Sequence, residues 1–158
     1  MDTPHLVVGM FIRMQDMKRD IQSKETSVSI VIPVYNEKEA LHQLRKRLSE
    51  TIESWRIKGW NLAVEIVLID DGSTDGSREI MDKFAEDDSH FKVIHLSRNF
   101  GHQEALSAGL VFSSGDCIAA LDADLQDPPE LIGTFLEKWA SGVDIVYGVR
   151  RNRKEGIF

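Results

Sequence analysis

The sequence predicts an α/β fold, a mostly parallel sheet with helices on both faces. The first observation behind this prediction is the repeated alternation of apolar, β-branched runs with segments that have helical spacing. The second is that these runs are nearly continuous, as expected of strands that are buried on both faces. The third is that acidic and polar residues directly follow several of the runs, where parallel strands would end at one edge.

The composition indicates one folded domain. The chain has 158 residues, of which 42% are hydrophobic, and this is enough for one domain with a core. The net charge of −7 argues against a general nucleic-acid-binding surface. The single cysteine, Cys117, is interpreted as a buried structural thiol, so no disulfide framework is expected. No apolar run reaches the roughly 18 residues that a membrane span requires.

Each predicted element follows from a local pattern. Strands are predicted over residues 27–34, 64–69, 91–96, 117–121 and 143–149. The helix after the first strand has a core-facing side made of Leu41, Leu44, Leu48, Ile52 and Trp55. Asn36 and Glu39 are predicted to form its N-cap and capping box, and Gly59 to end it.

Three more helices are predicted further along the chain. Two of them cover about residues 78–85 and 102–112. The third starts at Asp127, an N-cap residue followed by Pro128 and Pro129, and ends at Gly142. Its core-facing side is predicted to consist of Leu131, Ile132, Phe135, Leu136 and Trp139.

The chain divides into two parts in this interpretation. Residues 1–26 are expected to be a leader of uncertain structure, either a weak helix or an artefact of the assumed translation start. Residues 27–158 are expected to form the folded domain. A basic run begins at Arg150, just after the last predicted strand, and no covering element follows it. We therefore expect the domain to be C-terminally truncated.

An acidic pair follows the predicted strand at residues 117–121. Asp122 and Asp124 share one side of an extended segment, and Gln126 lies two residues further on. Two bare carboxylates about 4 Å apart repel each other by roughly 4 kcal/mol at an effective dielectric constant of about 20. We therefore expect a cation between them, and oxygen ligands favour a hard divalent ion such as Mg²⁺ or Mn²⁺.

Three loops are predicted to meet at the carboxyl edge of the sheet, where open α/β sheets bind ligands. They are residues 33–37, 70–73 and 122–124, and they meet if the first strand lies between the second and the fourth. Each has a plainer interpretation: Tyr35 packs on the sheet edge, Asp70 and Asp71 form a turn, or the acidic pair is a solvated loop. The three loops together favour one site.

Three segments resemble the family 2 glycosyltransferases, which have the Rossmann-like GT-A fold of nucleotide-diphospho-sugar transferases. They are SIVIPVYNE at 29–37, IVLIDDGSTDG at 66–76 and LDADLQDPPE, which contains a DXD motif, at 121–130. SRNFGHQ at 97–103 and DADLQDPPE at 122–130 are similar to the polyprenyl-phosphate glycosyltransferases, the branch that includes dolichol-phosphate mannosyltransferase and the bactoprenol glucosyltransferases. The resemblance covers about residues 27–153.

The resemblance implies roles for residues on the nucleotide side of the site. Pro33, Tyr35 and Glu37 would line the nucleotide pocket. Asp71 would accept a hydrogen bond from the base, and Asp70 would support the loop that carries Asp71.

The resemblance also implies roles on the phosphate side. Asp122 would lie near the ribose and the metal, and Asp124 and Gln126 would complete the metal's protein ligands. Arg150 would face the phosphates of the donor or the acceptor. His102 is interpreted as a surface residue of its helix in preference to a diphosphate contact.

The function that the resemblance implies is inverting transfer of a hexose from a UDP- or GDP-sugar to a polyprenyl or dolichol phosphate, with Mg²⁺ or Mn²⁺. It implies that the full-length protein works at the cytoplasmic face of a membrane, held by a C-terminal segment that is missing here, and leaves a homo-oligomer open. The fragment itself is expected to be soluble, cytoplasmic and inactive alone, with no nucleic-acid partner.

Other functions stay open or are disfavoured. A family 2 enzyme that acts on a saccharide hydroxyl in surface polysaccharide synthesis and a non-catalytic nucleotide-binding or assembly module both stay open. A nucleotidyltransferase would carry a glycine-rich loop after the first strand, and residues 33–37 contain no glycine. A phosphorelay receiver would carry its acidic pair after the first strand, whereas Asp70 and Asp71 follow the second.

Overall fold

A computed structural model describes residues 6–12, 21–22 and 25–149, and within these ranges six strands form one sheet flanked by four helices. The strands are β1 (Leu6–Ile12), β2 (Thr26–Val34), β3 (Leu62–Asp70), β4 (Phe91–His95), β5 (Cys117–Leu121) and β6 (Val146–Val149). The helices are α1 (Lys38–Ile57), α2 (Ser77–Asp87), α3 (His102–Phe112) and α4 (Leu131–Ala140). The predicted alternation of strands and helices is confirmed.

The sheet order places three strand ends beside one another. The strands run β4-β3-β2-β5-β1-β6 across the sheet, and β2 pairs in parallel with both β3 and β5. β4 is parallel to β3, so the sheet is mostly parallel, as predicted. Because β2 lies between the second and fourth predicted strands, the loops after β2, β3 and β5 leave the same edge.

The N-terminal strand β1 corrects one expectation. Leu6–Ile12 lies between β5 and β6 and is antiparallel to both, so the weak helix considered for this segment is wrong here. An apolar, β-branched run with a central glycine suits a strand better than a helix. Pairing at this place also satisfies the backbone polar groups on the second edge of β5. Ile21 is buried, and its carbonyl accepts a hydrogen bond from the Asn61 N–H at 2.8 Å.

The two faces of the sheet are covered by different helices. Helices α1, α2 and α4 bury one large core against alternate residues of the central strands, such as Ile30 of β2 and Leu68 of β3. Helix α3 packs on the opposite face over Val31 and Ile69. A Cβ atom at Gly109 of α3 would lie 2.2 Å from Val31 Cγ1, so this glycine permits the close approach. No helix in the described ranges is both long and apolar enough to cross a bilayer.

Two helix starts differ from the prediction. Helix α1 has Glu37 at its N-cap position without a side-chain cap, because Asn36 has a φ of 56° and bonds to a neighbouring loop instead. Helix α4 begins only at Leu131, since the Leu131 N–H donates to the Pro128 carbonyl in a tight turn. Leu131 is 38% exposed, whereas the other four residues predicted for the inner side of α4 are buried.

Candidate active site

A cavity of about 280 Å³ lies at the carboxyl edge of the sheet. Its lining includes six of the residues that the sequence analysis selected: Pro33, Tyr35, Glu37, Asp71, Asp122 and Asp124. Pro33 lies at the end of β2, and the other five come from the loops after β2, β3 and β5. The structure therefore brings the three predicted loops together in one place.

The first two loops are joined by hydrogen bonds that fix the side of the cavity lined by Tyr35 and Glu37. The Asn36 N–H donates to Ser73 Oγ at 3.1 Å, and the Thr74 N–H donates to Asn36 Oδ1 at 2.8 Å. The Glu37 N–H donates to Ser77 Oγ at 3.0 Å. The backbone that directly follows the exposed Tyr35 is thus held in place.

Asp70 is fully buried beneath the second loop and does not line the cavity. Its carboxylate accepts hydrogen bonds from the Ser73 N–H at 2.8 Å and from Arg78 Nε at 3.0 Å, and His95 Nδ1 lies 3.0 Å away. Burial alone would raise the pKa of Asp70, but the hydrogen bonds from Ser73, His95 and Arg78 outweigh it and lower that pKa. This arrangement fits the predicted supporting role of Asp70.

Asp71 lines the cavity but is only 3% exposed. Its Oδ1 accepts a hydrogen bond from the Phe100 N–H at 2.8 Å, and its Oδ2 accepts one from the Gly101 N–H at 2.9 Å. Both carboxylate oxygens are therefore engaged by the backbone of a fourth loop, residues 97–101.

The acidic residues of the cavity influence one another. Burial raises the pKa of Glu37, and the negative charges of Asp124, Asp75 and Asp122 raise it further. Asp124 is exposed, and its Oδ1 accepts a hydrogen bond from the Gln126 N–H at 3.0 Å. Gln126 itself does not line the cavity. A positive charge bound here would relieve the mutual repulsion of these carboxylates.

The donor set fits a divalent cation that takes most of its ligands from elsewhere. Among the residues that the structure describes, no group of three or more His, Cys, Asp and Glu side chains is arranged to hold a metal by itself. Mg²⁺ in nucleotide sites is typically held by one or two carboxylates together with substrate phosphates and water. Asp122 and Asp124 supply carboxylates of that kind.

Two contributions to the cavity were missed by sequence reasoning. Asn99 and Gly101 line it from the loop after β4, and His102 lines it from the first turn of α3. His102 Nε2 lies 3.6 Å from Asp122 Oδ1, so the interpretation of His102 as a plain surface histidine was incomplete. The available signal was the SRNFGHQ segment, which follows a strand that ends at the same edge. Arg150 lies outside the described residues, and its role stays a prediction.

The chain belongs to glycosyl transferase family 2, because the model of that family matches residues 29–158. This segment contains the loops of the cavity and the four strands β3, β4, β5 and β6.

Curated relatives share nearly half of the aligned residues. The undecaprenyl-phosphate 4-deoxy-4-formamido-L-arabinose transferase of Salmonella choleraesuis (strain SC-B67) is 48% identical over 132 residues, which are 83% of this chain and 39% of the relative. The uncharacterized glycosyltransferase YkcC of Bacillus subtilis (strain 168) is 43% identical over 136 residues, 86% of this chain and 41% of the relative. The chain thus spans about two fifths of the length of these relatives.

Solved structures share the fold. The mannosyltransferase PcManGT from Pyrobaculum calidifontis in complex with GDP-Man and Mn²⁺ matches with a TM-score of 0.58 and 22% identity, over 75% of this chain and 32% of that chain. TarS 1–349 of S. aureus in complex with UDP-GlcNAc matches with a TM-score of 0.53 and 22% identity, over 71% and 31%. The chain therefore has the GT-A fold, as predicted.

Proposed function

We propose that this chain is the donor-binding part of a metal-dependent, inverting glycosyltransferase that moves a hexose from a UDP- or GDP-sugar to polyprenyl phosphate at the cytoplasmic face of a membrane. The convergence of acidic residues from three strand ends on one cavity carries the proposal. Family membership supports the reaction class. The printed name of the Salmonella relative supports a polyprenyl-phosphate acceptor.

The donor nucleoside would lie along Pro33, Tyr35 and Asp71. Tyr35 is 47% exposed and offers an aromatic ring against which a base can stack. Glu37 and Asn99 line the same cavity and supply polar groups beside it. Uracil and guanine are both compatible with this lining.

The diphosphate would lie toward the carboxylates after β5. Asp124 would hold Mg²⁺ or Mn²⁺, with Asp122 and Gln126 as further ligands. When bound, such a cation acts as a Lewis acid that neutralises the charge of the leaving diphosphate. Burial raises the pKa of Glu37 and the neighbouring carboxylates raise it further, and this acidic lining supports the presence of a cation in the working site.

The acceptor phosphate needs positioning more than it needs a general base. It is largely ionised at neutral pH, by analogy with phosphate monoesters whose second pKa is about 6. Arg150, directly after β6, would supply part of the positive charge that orients it. Arg150→Ala in a longer protein that contains this segment should weaken acceptor use more than donor binding, and equal loss of both would contradict the assignment.

Thermal-shift measurements test the donor and metal parts of the proposal. We expect one of UDP and GDP, with its sugar derivatives, to stabilise the 158-residue chain more in the presence of Mn²⁺ than in its absence. Asp124→Asn should abolish the Mn²⁺-dependent part. Glu79→Gln removes an exposed acid of α2 that does not line the cavity and should leave the response intact.

Two results would contradict the proposal. One is the absence of stabilisation by any nucleoside diphosphate, which would favour an assembly module. The other is equal stabilisation with and without Mn²⁺. Transfer to undecaprenyl phosphate is expected to be weak or absent for the 158-residue chain alone, and robust turnover would refute that expectation.

A further inference from the structure

We infer that Asp71 is a positioning residue, whose buried carboxylate holds the loop at residues 97–101 and thereby sets where Asn99 and His102 line the donor cavity. This inference rests on the proposed function, because it concerns the same cavity. It assigns to Asp71 a task that differs from direct contact with the base.

The geometry of the carboxylate supports the inference. Asp71 is 3% exposed, and each of its oxygens accepts one backbone N–H, from Phe100 at 2.8 Å and from Gly101 at 2.9 Å. Hydrogen bonds from two successive amides to one ionised carboxylate are charge-assisted and fix the carboxylate in two directions. The side chain is therefore committed to the loop before any ligand arrives.

The backbones of the two loops also touch. Gly72 has a φ of +73°, and a Cβ atom built on it would lie 2.5 Å from the carbonyl carbon of Arg98 and 2.6 Å from the Asn99 nitrogen. The Leu96 N–H donates to the Asp70 carbonyl at 2.9 Å. The loop at residues 97–101 thus lies directly against the residues that flank Asp71. The Asp71 carboxylate adds two hydrogen bonds to this contact.

The loop carries groups that face the ligand. Gly101 occupies the N-cap position of α3 with a φ of 111°, and it lines the cavity together with Asn99 and His102. His102 Nε2 is 3.6 Å from Asp122 Oδ1. A shift of the loop would therefore move the nucleoside wall and the group that faces Asp122 at the same time.

Asp71→Asn tests the inference in the 158-residue chain. An amide side chain can accept one of the two N–H groups but presents its own NH₂ to the other, so both bonds cannot form together. Amide hydrogen exchange of Phe100 and Gly101, measured by NMR, should accelerate by at least about tenfold. Amides in the centre of β2 and β3 should keep their protection.

Nucleotide binding provides the second measurement. We expect Asp71→Asn to weaken every nucleoside diphosphate that binds the wild-type chain measurably with Mn²⁺ by a similar factor of about ten, because the loop and not a base-reading group is lost. Glu37→Gln is the matched control. Glu37 lines the same cavity, but the Phe100 and Gly101 N–H groups bond to Asp71 and not to Glu37, so its variant should leave their exchange unchanged.

The outcomes separate this inference from the proposed function. A loss confined to one base, or unchanged exchange of both amides in Asp71→Asn, would overturn it and assign Asp71 to the base. If the variant fails to fold, the wild-type chain decides: unprotected Phe100 and Gly101 amides would overturn the inference, and protected ones would support it. If no nucleotide binds, the proposed function fails while the exchange measurement still decides the role of Asp71.

Discussion

The amino end of the sheet carries a partly buried glutamate and the carboxyl end carries a group of acidic residues, and these carboxylates differ in what faces them. Toward the amino end, Glu65 of β3 accepts hydrogen bonds from Ser29 Oγ, from the backbone N–H and Oγ of Ser114, and from Lys92 Nζ. At the carboxyl end, the Glu37 carboxylate lies within the field of Asp124 and Asp122.

The pKa values of the two glutamates show the consequence. Burial alone would raise the pKa of Glu65, but the hydrogen bonds from Lys92, Ser29 and Ser114 outweigh it and lower that pKa to about 2. Burial raises the pKa of Glu37, and the neighbouring carboxylates add to the effect. A carboxylate with donors around it therefore stabilises the fold, whereas carboxylates that face one another mark a place for a cation.

The largest expected effect is loss of the Glu65 cluster. Glu65→Gln should lower the free energy of unfolding by about 3 kcal/mol at pH 7, because an amide can offer its oxygen to Ser29 and Ser114 only by turning its NH₂ toward Lys92 Nζ, and the charge that pairs with Lys92 is lost. Chemical denaturation measures the change. Glu53→Gln, which breaks a pair with Arg56 on the surface of α1, is the control and should be silent. An unchanged free energy of unfolding in Glu65→Gln would contradict the stabilising role of Glu65.

The same cluster predicts a pH dependence of stability. The pKa of Glu65 is lower in the folded state, about 2, than its ordinary value of 4.5. Its contribution is therefore fully present above about pH 4.5 and is lost as the pH falls toward 2, by about 3 kcal/mol in total. Denaturation of the wild type and of Glu65→Gln between pH 6 and 2.5 should show their stabilities converging. Parallel curves would contradict the assignment.

The next effect concerns the carboxyl end. Asp124→Asn should weaken Mn²⁺-dependent nucleotide binding by at least about tenfold, since one charged ligand to the cation is lost. Its stability without ligand should be unchanged or slightly higher, because the variant removes one of the charges that raise the pKa of Glu37. Calorimetric titration and denaturation measure the two quantities. A clear loss of stability without ligand would indicate that Asp124 is structural, like Glu65.

The smallest effect is expected at Glu37, and its direction tests whether the neighbouring carboxylates destabilise the ligand-free chain. Glu37→Gln should raise the stability of the ligand-free chain at pH 7, by less than about 1 kcal/mol, because a carboxylate held near others is replaced by a neutral group. The gain should vanish as the pH falls through the raised pKa of Glu37, since the wild-type group then becomes neutral as well. A destabilised variant at pH 7 would refute the proposed repulsion.

Much of the fold could be predicted because its signals are local. The bounds of α3 and β5 agree with residues 102–112 and 117–121, where apolar periodicity and flanking glycine or serine residues mark the ends. The meeting of the loops after β2, β3 and β5 followed from the rule that parallel strands end at one edge. These features depend on residue pattern alone.

The rest depends on contacts that no pattern encodes. The pairing of β1 with β5 and β6 joins residues more than a hundred positions apart, and nothing local specifies it. The donors to Asp71 are backbone N–H groups at Phe100 and Gly101, which almost any residue type would supply. Whether His102 lines the cavity depends on where α3 begins relative to that loop, so only the structure could show it.

The placement of β1 bears on how this protein should be handled. The segment matched by the family model starts at residue 29, so a gene trimmed to it would lack Leu6–Ile12. β5 would then present a bare row of backbone donors and acceptors, and β6 would lose the one neighbour it has among the described strands. Bare strand edges recruit other chains. A trimmed version would therefore tend to self-associate in solution through the bare edges of β5 and β6, whether or not it is active.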